Sequence, residues 1–343
     1  MNLEHNILLD PIIEKMNPYG GIYRYWTELK QGLCDIGVQF NEVDLWKIDK
    51  RARLERFCNF NIGRDKPSIV HSSYYRRPLV REQSVKTVVT AYDCIYERYR
   101  SGVALRTHIW AKRKALMQAD HIIAISNATK DDIIRFYDID KDMISVCYLN
   151  VNRLFYHSSD QTKSKYSDKS VLTNEPFFLF VGARERYKNF KLAVEAVRQA
   201  GNAKLFISGG GELSSGEKNL LDRALPGRYK YLSFVTTEEL KVLYKNAIAL
   251  LYPSEFEGFG LPPLECMLSG GRVVAQNTSS LKEIMPINYL GATSFKNHDE
   301  YIEKVVILEN KRNYEDWQIS PSFRLFWENY SMASESLKVY QQL

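Results

Sequence analysis

The 343-residue chain lacks several features that would each fix its class at once. It contains no run of the roughly 18 apolar residues that a membrane-crossing helix needs. Its N-terminal MNLEHNILLD places Glu4 before a short apolar run, so a secretory signal peptide is not expected. The five cysteines, Cys34, Cys58, Cys94, Cys147 and Cys266, are odd in number, widely spaced and form no CxxC. That excludes a disulfide scaffold or zinc ribbon and suits a reducing cytosol. The six histidines form no ligand-spaced cluster, so no metal site is expected. Neither a GxGxxG fingerprint with its acidic partner nor a Walker loop occurs. Internal repeats are absent as well.

What remains is a globular composition, 45% hydrophobic and 26% charged, in a chain long enough for two domains. The net charge of +6 is unevenly placed. Residues 1–165 hold 26 Lys+Arg against 20 Asp+Glu, and residues 166–343 hold 21 of each. The excess gathers in 50–56, 76–81 and 112–114. A one-sided basic surface suits an anionic membrane face, nucleic acid or an anionic substrate. Nucleic-acid binding has no recognisable module behind it.

Short apolar runs alternate with helix-length amphipathic stretches along the chain. Residues 6–10, 38–44, 68–71, 87–91, 122–126 and 144–149 read as buried strands, with helices at 19–35, 105–119 and 127–136. The Ser/Lys/Asp-rich stretch 156–176 reads as a linker. The alternation then restarts, with strands at 177–181, 204–208, 231–235, 248–252, 273–276 and 292–295. Helices fit at 189–200, 237–246 and 262–269, and 323–342 reads as one terminal helix. This pattern predicts an α/β protein of two doubly wound, Rossmann-like domains facing each other across a cleft. The expected divisions are 1–160, a linker 161–176, 177–322, and a C-terminal helix 323–343 crossing back to the first domain.

Three glycine loops follow predicted strands: Gly20-Gly21, Gly209-Gly210-Gly211, and Gly258-Phe259-Gly260 within SEFEGFGLPPLE. Each glycine taken alone is equally well a tight turn. The third loop says more. Pro262 and Pro263 suit a first helical turn, where a missing N–H costs nothing. The strand therefore runs through this loop into a helix N-terminus, which favours phosphate. Glu257 and Glu265 frame the loop. Phosphate would repel a carboxylate so close, so each is better suited to accept hydrogen bonds from sugar hydroxyls. A retaining glycosidase pair, about 5 Å apart across a scissile bond, is rejected for two residues of one turn-to-helix segment. Arg184, Arg186 and Lys188 follow another strand and offer cations to a diphosphate.

EFEGFGLPPLE, with its Glu-x7-Glu, resembles the donor-site motif of retaining nucleotide-sugar glycosyltransferases of family 4, which have the GT-B fold. The segments 18–25, 119–133, 182–190, SGGGE, 277–284 and 326–328 resemble further elements of that family, in family order over nearly the full length. The resemblance implies that Arg184 and Lys188 bind the donor diphosphate, with Arg186 assisting. Glu265 would hold the ribose, and Glu257 the hydroxyls of the transferred sugar. Gly258, Phe259, Gly260 and Leu261 would offer backbone groups to sugar and phosphate, Gly210 would line the donor site, and Gly20 and Gly21 would approach the diphosphate. Tyr92 stands at the family's usual histidine position, followed by Asp93, and tyrosine cannot serve as an acid or base at neutral pH. His71 with Tyr75 and Arg76 is expected near the acceptor.

The implied activity is retaining, metal-independent and cofactor-free transfer of a hexose. The donor would be a nucleotide-diphosphate sugar, GDP-mannose-like or a UDP-hexose. The acceptor would be a glycan or lipid-linked glycan of O-antigen or capsule type. A cytoplasmic protein with peripheral contact to an anionic membrane, and no nucleic-acid partner, fits this reading. The alternative is a GT-B-like accessory or glycan-binding protein with a decayed donor site.

Overall fold

The computed structural model describes residues 6–16, 20–45, 58–62, 66–79, 81–99, 102–156, 175–285, 292–293, 297–310 and 319–343. Most of the expected linker, the basic stretch 50–56 and the start of the first glycine loop lie outside them. The chain divides into two compact units, residues 1–150 with 330–343, and residues 151–329.

The first unit is built on β1 (Ile7–Asp10), α1 (Ile12–Met16), α2 (Gly21–Asp35), β2 (Phe40–Glu42), β3 (Ile69–Ser72), β4 (Lys86–Ala91), α3 (Ile95–Tyr99), α4 (Val103–Gln118), β5 (His121–Ala124), α5 (Asn127–Tyr137) and β6 (Ile144–Val146). Its six strands run parallel in the order β2-β1-β3-β4-β5-β6. Every residue of β1 and β3 is buried. Strands covered by helices on both faces are buried in this way, here with Asp10, His71 and Ser72 sealed in beside the apolar residues. Ser126 caps α5 by accepting the Thr129 N–H at 3.0 Å, the arrangement that SNAT (126–129) encodes locally.

The second unit contains β7 (Phe177–Val181), α6 (Phe190–Ala200), β8 (Lys204–Ser208), α7 (Ser215–Ala224), β9 (Tyr229–Leu232), α8 (Thr237–Asn246), β10 (Leu250–Tyr252), α9 (Leu261–Leu268), β11 (Val273–Ala275), α10 (Leu281–Ile284), β12 (Ala292–Thr293), α11 (His298–Asn310) and α12 (Pro321–Asn329). Its sheet is parallel throughout, ordered β12-β11-β10-β7-β8-β9. The first strand of the unit thus lies at the centre, and the chain winds outward from it in both directions. That reversal between β7 and β10 is where an open α/β sheet leaves a crevice for ligands. Phe178, Phe180, Val194, Val197, Leu205 and Ile207 anchor the core beneath it. Capping boxes open both α7 (Ser214 with Glu217) and α8 (Thr236 with Glu239).

The expected single terminal helix is two. Ser331 accepts the Ser334 N–H at 3.2 Å and so starts a fresh helix, α13 (Met332–Gln341), which belongs to the first unit. α13 packs on α2 at Gly32, where an added Cβ would lie 2.8 Å from that of Ala333. Only the missing side chain lets the two helices approach this closely. Gly32→Leu should lower unfolding free energy by about 2 kcal/mol, read by urea denaturation, because overpacking outweighs the gain in helix propensity.

Candidate functional site

The second unit brings two charged loops together at its switch point. After β7 the chain forms a 3-10 turn at Arg186–Lys188, and Asn189, in the left-handed region at φ 50°, starts α6. After β10 the loop 253–260 leads into α9. The loops are tied by Glu255 N–H to the Tyr187 carbonyl (2.9 Å) and by Asn189 Nδ2 to the Pro253 carbonyl (3.1 Å). Between them Lys188 Nζ donates to both carboxylate oxygens of Glu257, at 2.5 and 2.7 Å. Its side chain is 13% exposed and that of Glu257 8%. Tyr252, the last residue of β10, sits with its hydroxyl 3.3 Å from the same ammonium. Burial, then the Glu257 charge, push that phenol well above its usual range, so it stays protonated.

The 278–280 turn braces this loop from below. Ser280 Oγ donates to the carbonyls of Glu257 (2.9 Å) and Phe259 (2.7 Å), and Ser279 Oγ accepts the Glu257 N–H (3.0 Å). Gly260 caps α9 at φ 107°, and a Cβ there would strike Leu281 at 2.6 Å and Ile284 at 2.9 Å. Pro262 and Pro263 occupy the first turn of α9. Leu261 starts that helix, and Gly258 and Phe259 lie in the loop before it. Glu265 faces inward, 2% exposed, and accepts from the Tyr244 hydroxyl at 3.1 Å. The loop, the helix N-terminus, Lys188 and Glu257 are therefore assembled in one place. Tyr252, Tyr244, Ser279 and Ser280 were not singled out from sequence, although IALLY ends in Tyr252 and NTSS is a polar run directly before a helix.

Arg184 is committed elsewhere. Its Nε donates to Glu217 (2.8 Å), Nη1 to the Gly209 carbonyl (2.6 Å), and Nη2 to the carbonyls of Gly211 (2.7 Å) and Glu212 (3.0 Å). The guanidinium thus fastens the glycine loop after β8, where Gly209, Gly210 and Gly211 all adopt positive φ. A Cβ on Gly210 would lie 2.8 Å from Arg184 Nη1 and from the Ala183 Cα. Arg186, by contrast, is exposed.

The residues expected in the first unit lie at or near its own sheet edge. Gly20 caps and Gly21 opens α2. Tyr92, 4% exposed, donates to the Ser73 carbonyl at 3.0 Å, and burial keeps its phenol protonated. Asp93 Oδ1 accepts the Ile95 N–H at 3.0 Å. Tyr75 is buried, with Lys112 Nζ 5.6 Å above its ring. Arg76 is also buried and pairs with Asp10 at 3.0 Å. Burial outweighs that guanidinium and raises the Asp10 carboxyl to about 6.

His71, expected beside the acceptor, is instead sealed in the core. Its Nδ1 meets the Tyr340 hydroxyl at 2.6 Å and its Nε2 meets Thr90 Oγ1 at 2.8 Å. Both ring nitrogens are thereby occupied within the first unit, and burial lowers the imidazole to about 3.

The second sheet follows the Rossmann order and the first the other doubly wound order, 2-1-3-4-5-6; two parallel, doubly wound sheets in one chain, one per unit, make the GT-B plan. The comparisons agree. Residues 162–318 match the family "Glycosyl transferases group 1" and residues 37–152 match "Glycosyltransferase Family 4". The chain belongs to these group 1, family 4 glycosyltransferases. It is 28% identical over 221 residues to the O-antigen chain mannosyltransferase RfbU of Salmonella typhimurium, covering 63% of this chain and 58% of that protein. The curated relatives it matches are thus spanned over less than two thirds of their length. Among solved structures, sucrose-phosphate synthase from Thermosynechococcus elongatus superposes with a TM-score of 0.75 at 16% identity, covering 99% of both chains. HepE from Anabaena, solved with UDP and glucose, gives a TM-score of 0.67 at 14% identity over 99% of both chains.

Two outcomes follow from this geometry. Lys188→Ala leaves the Glu257 carboxylate buried without its cation, so it should cost about 3 kcal/mol of stability. In a denaturation cycle with Glu257→Ala the pair should couple by about 2 kcal/mol, and simple additivity would show that it contributes nothing. The second concerns His71. Its pKa is depressed on folding, so its contribution is complete above pH 6.5 and is lost as pH falls towards 3. Asp10 titrates with the opposite sign, so the informative quantity is wild type minus His71→Gln. That difference should shrink by about 2 kcal/mol between pH 7 and about pH 5 in urea titrations.

Proposed function

We propose that the chain is a retaining, metal-independent glycosyltransferase. It moves a hexose from a nucleotide-diphosphate sugar to a glycan or lipid-linked glycan in cell-surface polysaccharide assembly. The observation that carries this reading is the meeting of Lys188 and Glu257 at the β7/β10 switch point, before the N-terminus of α9. A sugar diphosphate needs positive charge at its leaving group and acceptors for its hydroxyls, and this edge holds both.

Lys188 and exposed Arg186, with the Leu261 N–H and the positive end of the α9 dipole, stabilise the departing diphosphate as its charge develops; Pro262 and Pro263 carry no N–H to add. This supply of charge is why we take the reaction to need no metal. Glu257 accepts from hydroxyls of the transferred sugar and Glu265 from the ribose. Arg184 acts through the glycine loop it holds. Glu257 is neutralised by Lys188 and Glu265 is turned to Tyr244, so neither is presented as a covalent nucleophile. Departure and attack on the same face of the sugar follow as the route to retention. Tyr92 fills the histidine position by packing and hydrogen bonding rather than by proton transfer. RfbU, an O-antigen chain mannosyltransferase by name, supports a mannose-type donor and a polysaccharide acceptor. The UDP and glucose of HepE support a UDP-hexose equally. The place of action is the cytoplasmic side of the membrane that carries the acceptor. Among the described residues no helix is long and apolar enough to cross it.

Thermal unfolding with UDP, GDP, ADP, dTDP and CMP, each with and without EDTA, tests this. A ligand at about 100 times its Kd adds roughly 2.7 kcal/mol to the native state. One nucleoside diphosphate should raise Tm, EDTA should not change the shift, and Glu265→Ala should diminish it. Lys188→Ala should depress turnover severely. No shift with any nucleotide would favour a decayed, accessory GT-B protein instead.

A further inference from the structure

Lys188 meets three acceptors on its own chain, one for each N–H of its ammonium. Two are the Glu257 carboxylate oxygens, at 2.5 and 2.7 Å, and the third is the Tyr252 hydroxyl at 3.3 Å. The Tyr187 and Tyr252 rings lie alongside, with their centroids 5.4 and 5.2 Å from the nitrogen. The carboxylate contacts are short and charge-assisted, and the phenol contact is the longest of the three. A phosphate oxygen that reaches Lys188 must claim one N–H, and the one on the phenol is held least. Tyr252 has a second connection. Its oxygen accepts from the ammonium, so its own proton is turned to another acceptor. That acceptor is Glu257, which acts on the phenol both as a charge and as a hydrogen-bond partner. The ring is 3% exposed at the end of β10. Ser279 and Ser280, by contrast, brace the loop backbone, through the Glu257 N–H and the carbonyls of Glu257 and Phe259.

We infer that Tyr252 is a positioning residue for the transferred sugar: its hydroxyl yields Lys188 to the diphosphate and keeps the Glu257 carboxylate in place for the sugar's hydroxyls. The inference rests on the transferase reading and says what holds Glu257 once its cation is shared. A carboxylate whose side chain is 8% exposed needs a donor when the ammonium turns away. The phenol supplies one without leaving its place, and burial beside a carboxylate keeps its proton on. A phenylalanine at this position would offer the same ring to the ammonium and nothing to the carboxylate.

The test is titration calorimetry of the full chain with UDP, GDP, ADP and dTDP, each alone and as its glucose or mannose conjugate. Tyr252→Phe removes only the hydroxyl. For the nucleotide that wild type prefers, the variant should bind the diphosphate within about twofold and the sugar conjugate about tenfold more weakly. Retained diphosphate binding also shows that the variant is folded. Conjugates lacking one sugar hydroxyl give a second readout. The deoxygenation that weakens wild type should cost the variant little more, because that hydroxyl and the phenol act through one carboxylate. Equal loss for diphosphate and conjugate would mark a structural role only, and unchanged conjugate affinity would leave no role. Either result overturns the inference and spares the transferase reading, as does a wild type that gains no affinity from the sugar. Wild type that binds none of these compounds would sink the transferase reading, and this inference with it.

Discussion

A lysine and a glutamate 69 positions apart hold the ligand edge of the second unit together. Lys188 and Glu257 belong to loops that leave neighbouring central strands, and each is mostly withdrawn from water. Two desolvated charges in such loops are tolerable only as a pair, because either one alone would face a penalty of several kcal/mol. The pairing therefore fixes where both loops run. With the loops fixed, Gly260 can be squeezed against Leu281 and Ile284, and Ser280 can hold two successive turns of the loop by their carbonyls. The N-terminus of α9 is aimed by these constraints. In the function proposed here, a ligand that engages Lys188 would take over part of the role of Glu257 and free carboxylate oxygens for hydroxyl groups. An ion pair, unlike an apolar contact, can be exchanged in this way without dismantling the edge.

The same economy of charge appears elsewhere. Arg184 satisfies the carbonyls of three glycines whose positive φ values turn them inward, and Glu217 completes its shell. Arg76 pairs with Asp10 at the end of β1, and Lys112 with Glu97 behind the loop after β4. In each case a basic residue is turned inward and organises a loop that follows a strand. A cation near a strand end in sequence is thus compatible with two opposite placements, open to solvent or spent on the scaffold.

That ambiguity marks how far the sequence could be read. Unbroken apolar runs made the central strands legible, and 177–181 and 204–208 match β7 and β8 residue for residue. The helix 237–246 was equally plain. Helix α7 is hard to read from periodicity because Gly216 and polar residues dilute it, although Ser214 and Glu217 spell a capping box. Helix α11 carries a weaker pattern, with Tyr301, Val305 and Leu308 on one face. At the proposed donor edge, residue types after a strand indicate Lys188, Glu257 and the α9 N-terminus as chemistry-bearing, and the fold brings them together. The inward turn of Arg184 was not legible, because it depends on where the Gly209–Glu212 carbonyls point. Nor was the sealing of His71, which needs Tyr340, 269 positions away.

Helix α4 shows what such departures signify. Exchanging its buried lysine for leucine and its exposed tryptophan for lysine would restore the ordinary amphipathic pattern, with apolar groups inside and charge outside. The chain instead sustains Lys112 with a full set of buried partners and leaves Trp110 and Met117 in water. Local rules of this kind are broken where something other than folding decides the residue. The inner inversion has a structural answer, since Lys112 gathers Asp93, Cys94 and Glu97 behind the loop after β4. On the outer side Trp110 lies under the Lys114 ammonium, 5.0 Å from its ring, and is otherwise largely in water.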